Sequence, residues 1–217
     1  MSGRPRLGLL GGTFDPVHIG HLAAARAAQD RLDLDSVRFI PSAQPVHRTD
    51  RPRASGYHRM EMVKLAVAGV PGWEISNLEL AREGPTYTFD TLTIIRREGL
   101  PASQVFFITG SDAFAEIETW HRYPDVLDLA TFVVVARAGT AVDLLRTRLP
   151  SLSSRMTTDR APRVGDSTPI IVLNVDTPDV SASDIRNQIA RGESIDGLVP
   201  PAVVEYIDRH SLYRNGD

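Results

Sequence analysis

The chain has 217 residues, 42% of them hydrophobic and 24% charged, and a formal net charge of −3. This is the balance of a globular protein with room for a sizeable core, and it argues against a nucleic-acid grip, which needs a basic face. The chain has no cysteine, so disulfides and thiolate chemistry are excluded. Its apolar runs are too short for a membrane helix, and its first residues lack the apolar core of a signal peptide. The expectation is one cytoplasmic domain over 1–217, without membrane or nucleic-acid partners, with self-association left open. Lys64 is the only lysine, so any other phosphate-binding cation must be Arg, His or the amino terminus.

In chain order, Leu7–Leu10 reads as a short buried strand that ends at Gly11-Gly12. The stretch His18–Leu32 is rich in Ala, Leu and Arg and predicts a helix. Ser36–Ser42 is a second strand, stopped by Pro41. Ser55 is placed to cap a helix whose apolar spacing runs through Met60, Val63 and Val67. Trp73–Leu80 reads as extended, with imperfect alternation. Thr88–Gly99 predicts a helix with a Thr cap and a Gly stop.

Gln104–Gly110, Thr131–Arg137 and Pro169–Val175 are continuous apolar runs, the pattern of buried strands. Ser183–Gly192 and Pro200–His210 predict capped helices, with Pro201 in a first turn. The stretch 138–169 differs: a helix near Val142–Leu149 is expected, then a polar, mobile connection. Strands alternating with helices predict an α/β fold, a doubly wound parallel sheet with helices on both faces. Ligands of such folds bind beyond the carboxyl ends of the strands. That rim holds Gly11–His21, Pro41–Arg48, Thr109–Asp112 and Asp176–Arg186.

His18 and His21 stand three apart after a Gly-rich strand end, with Gly20 between them and Pro16 before them. At that spacing two imidazoles share a helical face. Packing alone is one reading. A metal is another, but zinc-protease spacing places the histidines four apart with Glu beside the first, and Ile19 follows His18 here. The third is phosphate, held by imidazoles, by Gly11, Gly12 and Thr13 backbone N–H groups and by a helix start. The segment has no Gly-Lys-Ser/Thr, and the Gly-x-Gly-x-x-Gly dinucleotide fingerprint fails.

The segment "GGTFDPVHIGH" resembles the (T/H)xGH signature of the nucleotidyltransferase superfamily. "VSASDIR", Val180–Arg186, resembles that superfamily's Ile-Ser-Ser-Thr-x-x-Arg element, with Ala182 for its second Ser and Ser183 for its Thr. "PSAQPVHR" (Pro41–Arg48), "GPTYTFDTL" (Gly84–Leu92), "FITGSDAFAEIETW" (Phe107–Trp120) and "LVPPAVVEYIDRHSLY" resemble elements of the nicotinate-nucleotide adenylyltransferases, with Arg48 where that family carries Lys. The resemblance spans nearly the whole chain except 138–169.

The resemblance implies adenylyl transfer from ATP to nicotinate mononucleotide, giving deamido-NAD and pyrophosphate in NAD biosynthesis. It implies His18, His21 and Arg186 as catalytic residues. It places Gly11, Gly12, Thr13, Phe14, Gly110, Asp112, Ser183 and Arg48 with these three around ATP. Thr86, Tyr87, Thr88, Asp112, Trp120 and His47 fall to the mononucleotide, its ring between Trp120 and the Thr86–Thr88 turn. Mg²⁺ is expected on the ATP phosphates and not on protein side chains. The alternatives are a pantetheine-phosphate adenylyltransferase, a non-catalytic nucleotide sensor on the same fold, or an NAD(P)-dependent oxidoreductase.

Overall fold

The computed structural model describes residues 5–43, 51–137, 142–158, 168–175 and 177–214. Seven strands form one sheet: β1 (Leu7–Gly12), β2 (Ser36–Pro41), β3 (Trp73–Ile75), β4 (Val105–Gly110), β5 (Thr131–Arg137), β6 (Met156–Thr157) and β7 (Ile170–Val175). Their order is β3-β2-β1-β4-β5-β7-β6. Parallel ladders join β1 to β4, β4 to β5, β5 to β7 and β7 to β6, with Leu9 opposite Phe107, Phe107 opposite Phe132, and Phe132 opposite Ile170. The strand order runs outward from β1 to β3, then resumes at β4 and runs the other way. With the right-handed crossovers that parallel strands take, such an order is that of the doubly wound α/β fold. The reversal falls between β1 and β4, whose carboxyl ends are Gly11-Gly12 and Thr109-Gly110.

Among the described residues seven α-helices connect or flank the strands: α1 (Ile19–Leu32), α2 (Gly56–Val67), α3 (Thr88–Arg97), α4 (Ser111–Phe114), α5 (Val142–Arg148), α6 (Ala182–Ala190) and α7 (Pro201–Arg209). Ser55 caps α2 as expected, its hydroxyl accepting from the His58 N–H at 3.3 Å. Pro201 opens α7, where a missing N–H costs nothing.

Several expectations are corrected. The extended run ends at Ile75; beyond it the Ala81 N–H turns back to the Asn77 carbonyl. Thr88 is the first residue of α3, and the cap position is Tyr87, whose side chain makes no capping bond. The cap of α6 is Ser181, which accepts from the Asp184 N–H, so Ser183 lies inside the first turn. Pro41 ends β2 from within it.

The contact pattern divides the chain into two compact units. One comprises Met1–Gly11, Ala24–Arg38 and Tyr87–Thr177. It carries the β1-β4-β5-β7-β6 ladder, with Leu9, Val105, Phe132, Val133 and Val134 fully buried. Its α5 matches the helix expected near Val142–Leu149. The two-residue β6 was not expected: its pairing with β7 is too short to leave a hydrophobic period. Arg155 donates to the Leu127 and Thr168 carbonyls at 3.1 and 3.0 Å. The rest of the connection expected to be mobile, 138–141 and 159–167, lies outside the described residues. The other unit comprises Gly12–Ala23, Phe39–Thr86 and Pro178–Asp217, with α2, α6 and α7 around the loop that leaves β1.

Candidate active site

That loop starts from a tight backbone. The Ser42 N–H donates to the Gly12 carbonyl at 2.9 Å. Phe14 takes a left-handed φ of 51°, and its buried ring lies where a Cβ on Gly12 would come within 3.1 Å, so a side chain at 12 would crowd it. The Phe14 ring packs edge-on against His21, centroids 5.0 Å apart.

His18 stands just ahead of α1, and its ring stacks on that of His21 at 3.7 Å and 29°. The His18 N–H donates to His21 Nδ1 at 3.3 Å. An accepting Nδ1 places the ring hydrogen of the uncharged imidazole on Nε2. His18 is 7% exposed, and its Nδ1 has no hydrogen-bond partner among the described residues. Gly20 makes room for this ring: a Cβ there would sit 3.1 Å from His18 Nδ1 and 3.6 Å from the Pro178 carbonyl oxygen. Gly20 therefore accommodates His18 itself. The start of α1 is also less open than its sequence implies. The Ile19 N–H donates to the Leu198 carbonyl, and the His21 N–H to the His18 carbonyl, both at 3.0 Å.

Burial pushes the His18 imidazole down to about 4, from an ordinary 6.5. It is neutral at physiological pH. Between about 4 and 6.5 the unfolded chain binds a proton that folded His18 refuses. Stability is therefore full above that window and falls as the pH drops through it. Urea midpoints from pH 4 to 7 should show this slope, and His18→Gln should flatten it. An equal slope in the variant would contradict the assignment.

Arg186, on α6, reaches back to the loop. Its Nη1 donates to the Asp15 carbonyl at 2.7 Å and lies 3.9 Å from the Asp15 carboxylate, and its Nη2 donates to Ser183 Oγ at 3.1 Å. Gly12, Thr13, Phe14, His18, His21, Ser183 and Arg186 thus fall in one compact unit. Thr86, buried, belongs to the same unit.

The other unit holds Gly11, Tyr87, Thr88, Gly110, Asp112 and Trp120. Gly110 ends β4 and precedes α4, where Asp112 is exposed. Trp120 packs edge-on against Phe107 at 6.1 Å and against Phe132 at 6.3 Å. The Tyr87 ring lies 4.3 Å from that of His121. His47 and Arg48 lie outside the described residues.

Three residues in and around the loop were given no role from the sequence, although Asp15 and Tyr213 lie in segments that carry the resemblance. Asp15, 3% exposed, accepts from the Arg53 N–H at 2.8 Å, the Ala54 N–H at 3.1 Å and the Tyr213 hydroxyl at 2.7 Å. Arg59, 2% exposed, donates to the carbonyls of Thr13 at 2.8 Å, Ser42 at 2.7 Å and Ala54 at 3.2 Å. Burial raises the Tyr213 phenol above its ordinary range, and the Asp15 carboxylate adds to the rise, so Tyr213 is a permanent donor. One signal was available: α2 buries Arg59, Met62, Val63, Ala66 and Val67, a helical stripe headed by an arginine.

The family model described as Cytidylyltransferase-like matches residues 9–188. A protein of Pseudomonas syringae pv. tomato, named "Probable nicotinate-nucleotide adenylyltransferase", is 42% identical over 209 residues, covering 96% of this chain and 94% of its own. One of the same name from Thermomicrobium roseum is 40% identical over 211 residues, covering 96% and 92%. The solved Plasmodium falciparum nicotinic acid mononucleotide adenylyltransferase complexed with NaAD shares the fold at TM-score 0.73 and 18% identity, over 97% of this chain and 98% of that one. The chain belongs to the Cytidylyltransferase-like family and, within it, to the nicotinate-nucleotide adenylyltransferases.

Proposed function

We propose that this chain, acting as a single nucleotidyltransferase domain, transfers the adenylyl group of ATP to nicotinate mononucleotide. A phosphate oxygen of the mononucleotide attacks the α-phosphorus of ATP. A new P–O–P bond forms, the α–β bridge breaks, and pyrophosphate leaves with the bridging oxygen. The attacking phosphate is already anionic, so no general base is needed. The barriers are repulsion between anions and charge growing on the leaving group, so positioning and electrostatic stabilisation dominate.

The observation that carries this reading is the stacked His18–His21 pair, in one compact unit with Arg186. His21 donates from Nε2 to the α-phosphate and the bridging oxygen as charge develops. His18 is neutral, and it offers the phosphates a hydrogen without the repulsion a charged pair would create. Arg186 spends two of its five N–H groups on Asp15 and Ser183, and the remaining fork suits β/γ-phosphate oxygens. The resemblance assigns Gly11, Gly12, Thr13 and Phe14 to ATP, and Gly110 and Asp112 to its ribose and adenosine side. The resemblance assigns Arg48 to the phosphates and His47 to the mononucleotide.

The donors of this cluster are imidazole and guanidinium nitrogens, and its carboxylate, Asp15, already accepts three hydrogen bonds. Such a set does not suit Mg²⁺, which prefers oxygen ligands. Mg²⁺ accordingly enters with the ATP phosphates.

The test is turnover of Mg-ATP with a panel of mononucleotides, measuring dinucleotide and pyrophosphate together. Binding of ATP without pyrophosphate release would identify a sensor instead. Nicotinate mononucleotide should exceed the nicotinamide form in kcat/KM. The ring substituent meets the start of α3 at Thr88, where N–H groups and the dipole favour a carboxylate. An amide that leaves a donor unpaired loses about 1–3 kcal/mol, roughly 10–100-fold in kcat/KM. Equal values would overturn the ring placement while leaving the phosphate chemistry intact.

A further inference from the structure

We propose that Tyr213 and Asp15 are positioning residues for Arg186, forming a buried strap that holds its guanidinium for the phosphates. The inference rests on the phosphate role of Arg186 stated above. Arg186 and Asp15 are 171 residues apart in sequence, and Tyr213 and Asp15 are 198 apart, yet they form one hydrogen-bonded chain. The Tyr213 hydroxyl donates to Asp15 Oδ1. The other carboxylate oxygen accepts the Arg53 N–H, so Asp15 is held from both sides. Its carbonyl then receives Arg186 Nη1 at 2.7 Å. Arg59 fixes the same loop one step earlier, through the Thr13 carbonyl.

The arrangement acts on direction more than on charge. Arg186 is largely buried, its side chain 17% exposed, and the Asp15 carbonyl sets where Nη1 points. The Asp15 backbone can shift only if its carboxylate leaves two N–H groups and one hydroxyl. Such buried charge-assisted bonds are costly to break. Tyr213 is itself 8% exposed and adopts a left-handed φ of 64°, so the strap ends in a fixed residue and not in a trailing terminus. The same C-terminal region touches the loop a second time, where Leu198 accepts the first N–H of α1 beside His18. A carboxylate this deeply placed has no phosphate to bind, and it would repel one. Its place in the reaction is therefore indirect.

The experiment is a double-mutant cycle of Tyr213→Phe with Arg186→Ala, measuring kcat and KM for ATP below the melting transition of every variant. Tyr213→Phe keeps the ring and removes only the hydroxyl. Loss of a bond to a charged group should lower kcat about tenfold in the native background. In the Arg186→Ala background the same substitution should change kcat by less than about twofold, because the group it positions is gone. 4-Aminophenylalanine at 213 retains a donor and should restore most of the activity. Equal losses in both backgrounds, no loss at all, or a loss that follows the unfolded fraction in thermal melts would overturn the proposal. Arg186→Ala with native turnover would instead overturn the phosphate role of Arg186, and the cycle reads that separately.

Discussion

His18→Ala and His21→Ala should each lower kcat by roughly 10²–10³ while changing KM for ATP far less, the loss typical of one donor to transition-state charge. The stack explains why both matter. His21 is held as a donor by the His18 N–H on its Nδ1, and the His18 ring covers its face. Each alanine therefore removes one donor and loosens the other. The double variant should lose less than the product of the single losses, because residues in contact are not additive. Single-turnover quench-flow separates this from product release. Near-normal turnover in either single variant would remove the pair from the chemistry.

Arg59→Met should cost about 3–5 kcal/mol of stability, the range for breaking a buried charged network by removing one member. Methionine fills most of the volume, so packing is largely spared. The carbonyls of Thr13, Ser42 and Ala54 lose their arginine donor in a place that water does not reach readily. Asp15, whose charge favours the protonated form of Arg59, loses a nearby cation as well. For a chain of this size, about 2–4 °C is lost per kcal/mol, so a drop on the order of 10 °C in Tm is expected. Urea denaturation with an unchanged midpoint would refute the network's weight. Arg59→Lys should recover only part, because one ammonium cannot reproduce the spread of a guanidinium over three carbonyls.

The apolar runs at Leu7, Val105, Thr131 and Ile170 were legible as strands because buried parallel strands are continuous in apolar residues. The helices were legible from spacing and from signals such as Ser55 and Pro201. Ser183 and Thr88 misled because hydroxyl residues sit at both cap and first-turn positions, and only backbone angles separate Ser181 from Ser183. The Trp73–Leu80 run misled because its turn is carried by hydrogen bonds from the Ala81 and Arg82 N–H groups to the Asn77 and Glu79 carbonyls, not by Gly or Pro. His18 and His21 stood out by residue type and spacing, and Arg186 through the resemblance carried by Val180–Arg186. The roles of Asp15, Arg59 and Tyr213 could not be picked out, since all but one of their side-chain contacts cross 17 to 198 residues of sequence. Local pattern carries no information about such pairs.

That separation has a consequence for how the protein is made. The unit carrying the histidine pair draws on Gly12–Ala23, Phe39–Thr86 and Pro178–Asp217. Chains emerge from the ribosome amino end first, at about 5–20 residues per second. The Gly12–Ala23 loop is therefore exposed early, with its Asp15 carboxylate unmatched, and waits for Tyr213 and Arg186 to follow. For roughly ten seconds or more the nascent chain carries the histidines without the groups that fix them. Ribosome-bound chains stalled before residue 186 should consequently be silent in adenylyl transfer, and activity should appear abruptly once the last helices are free.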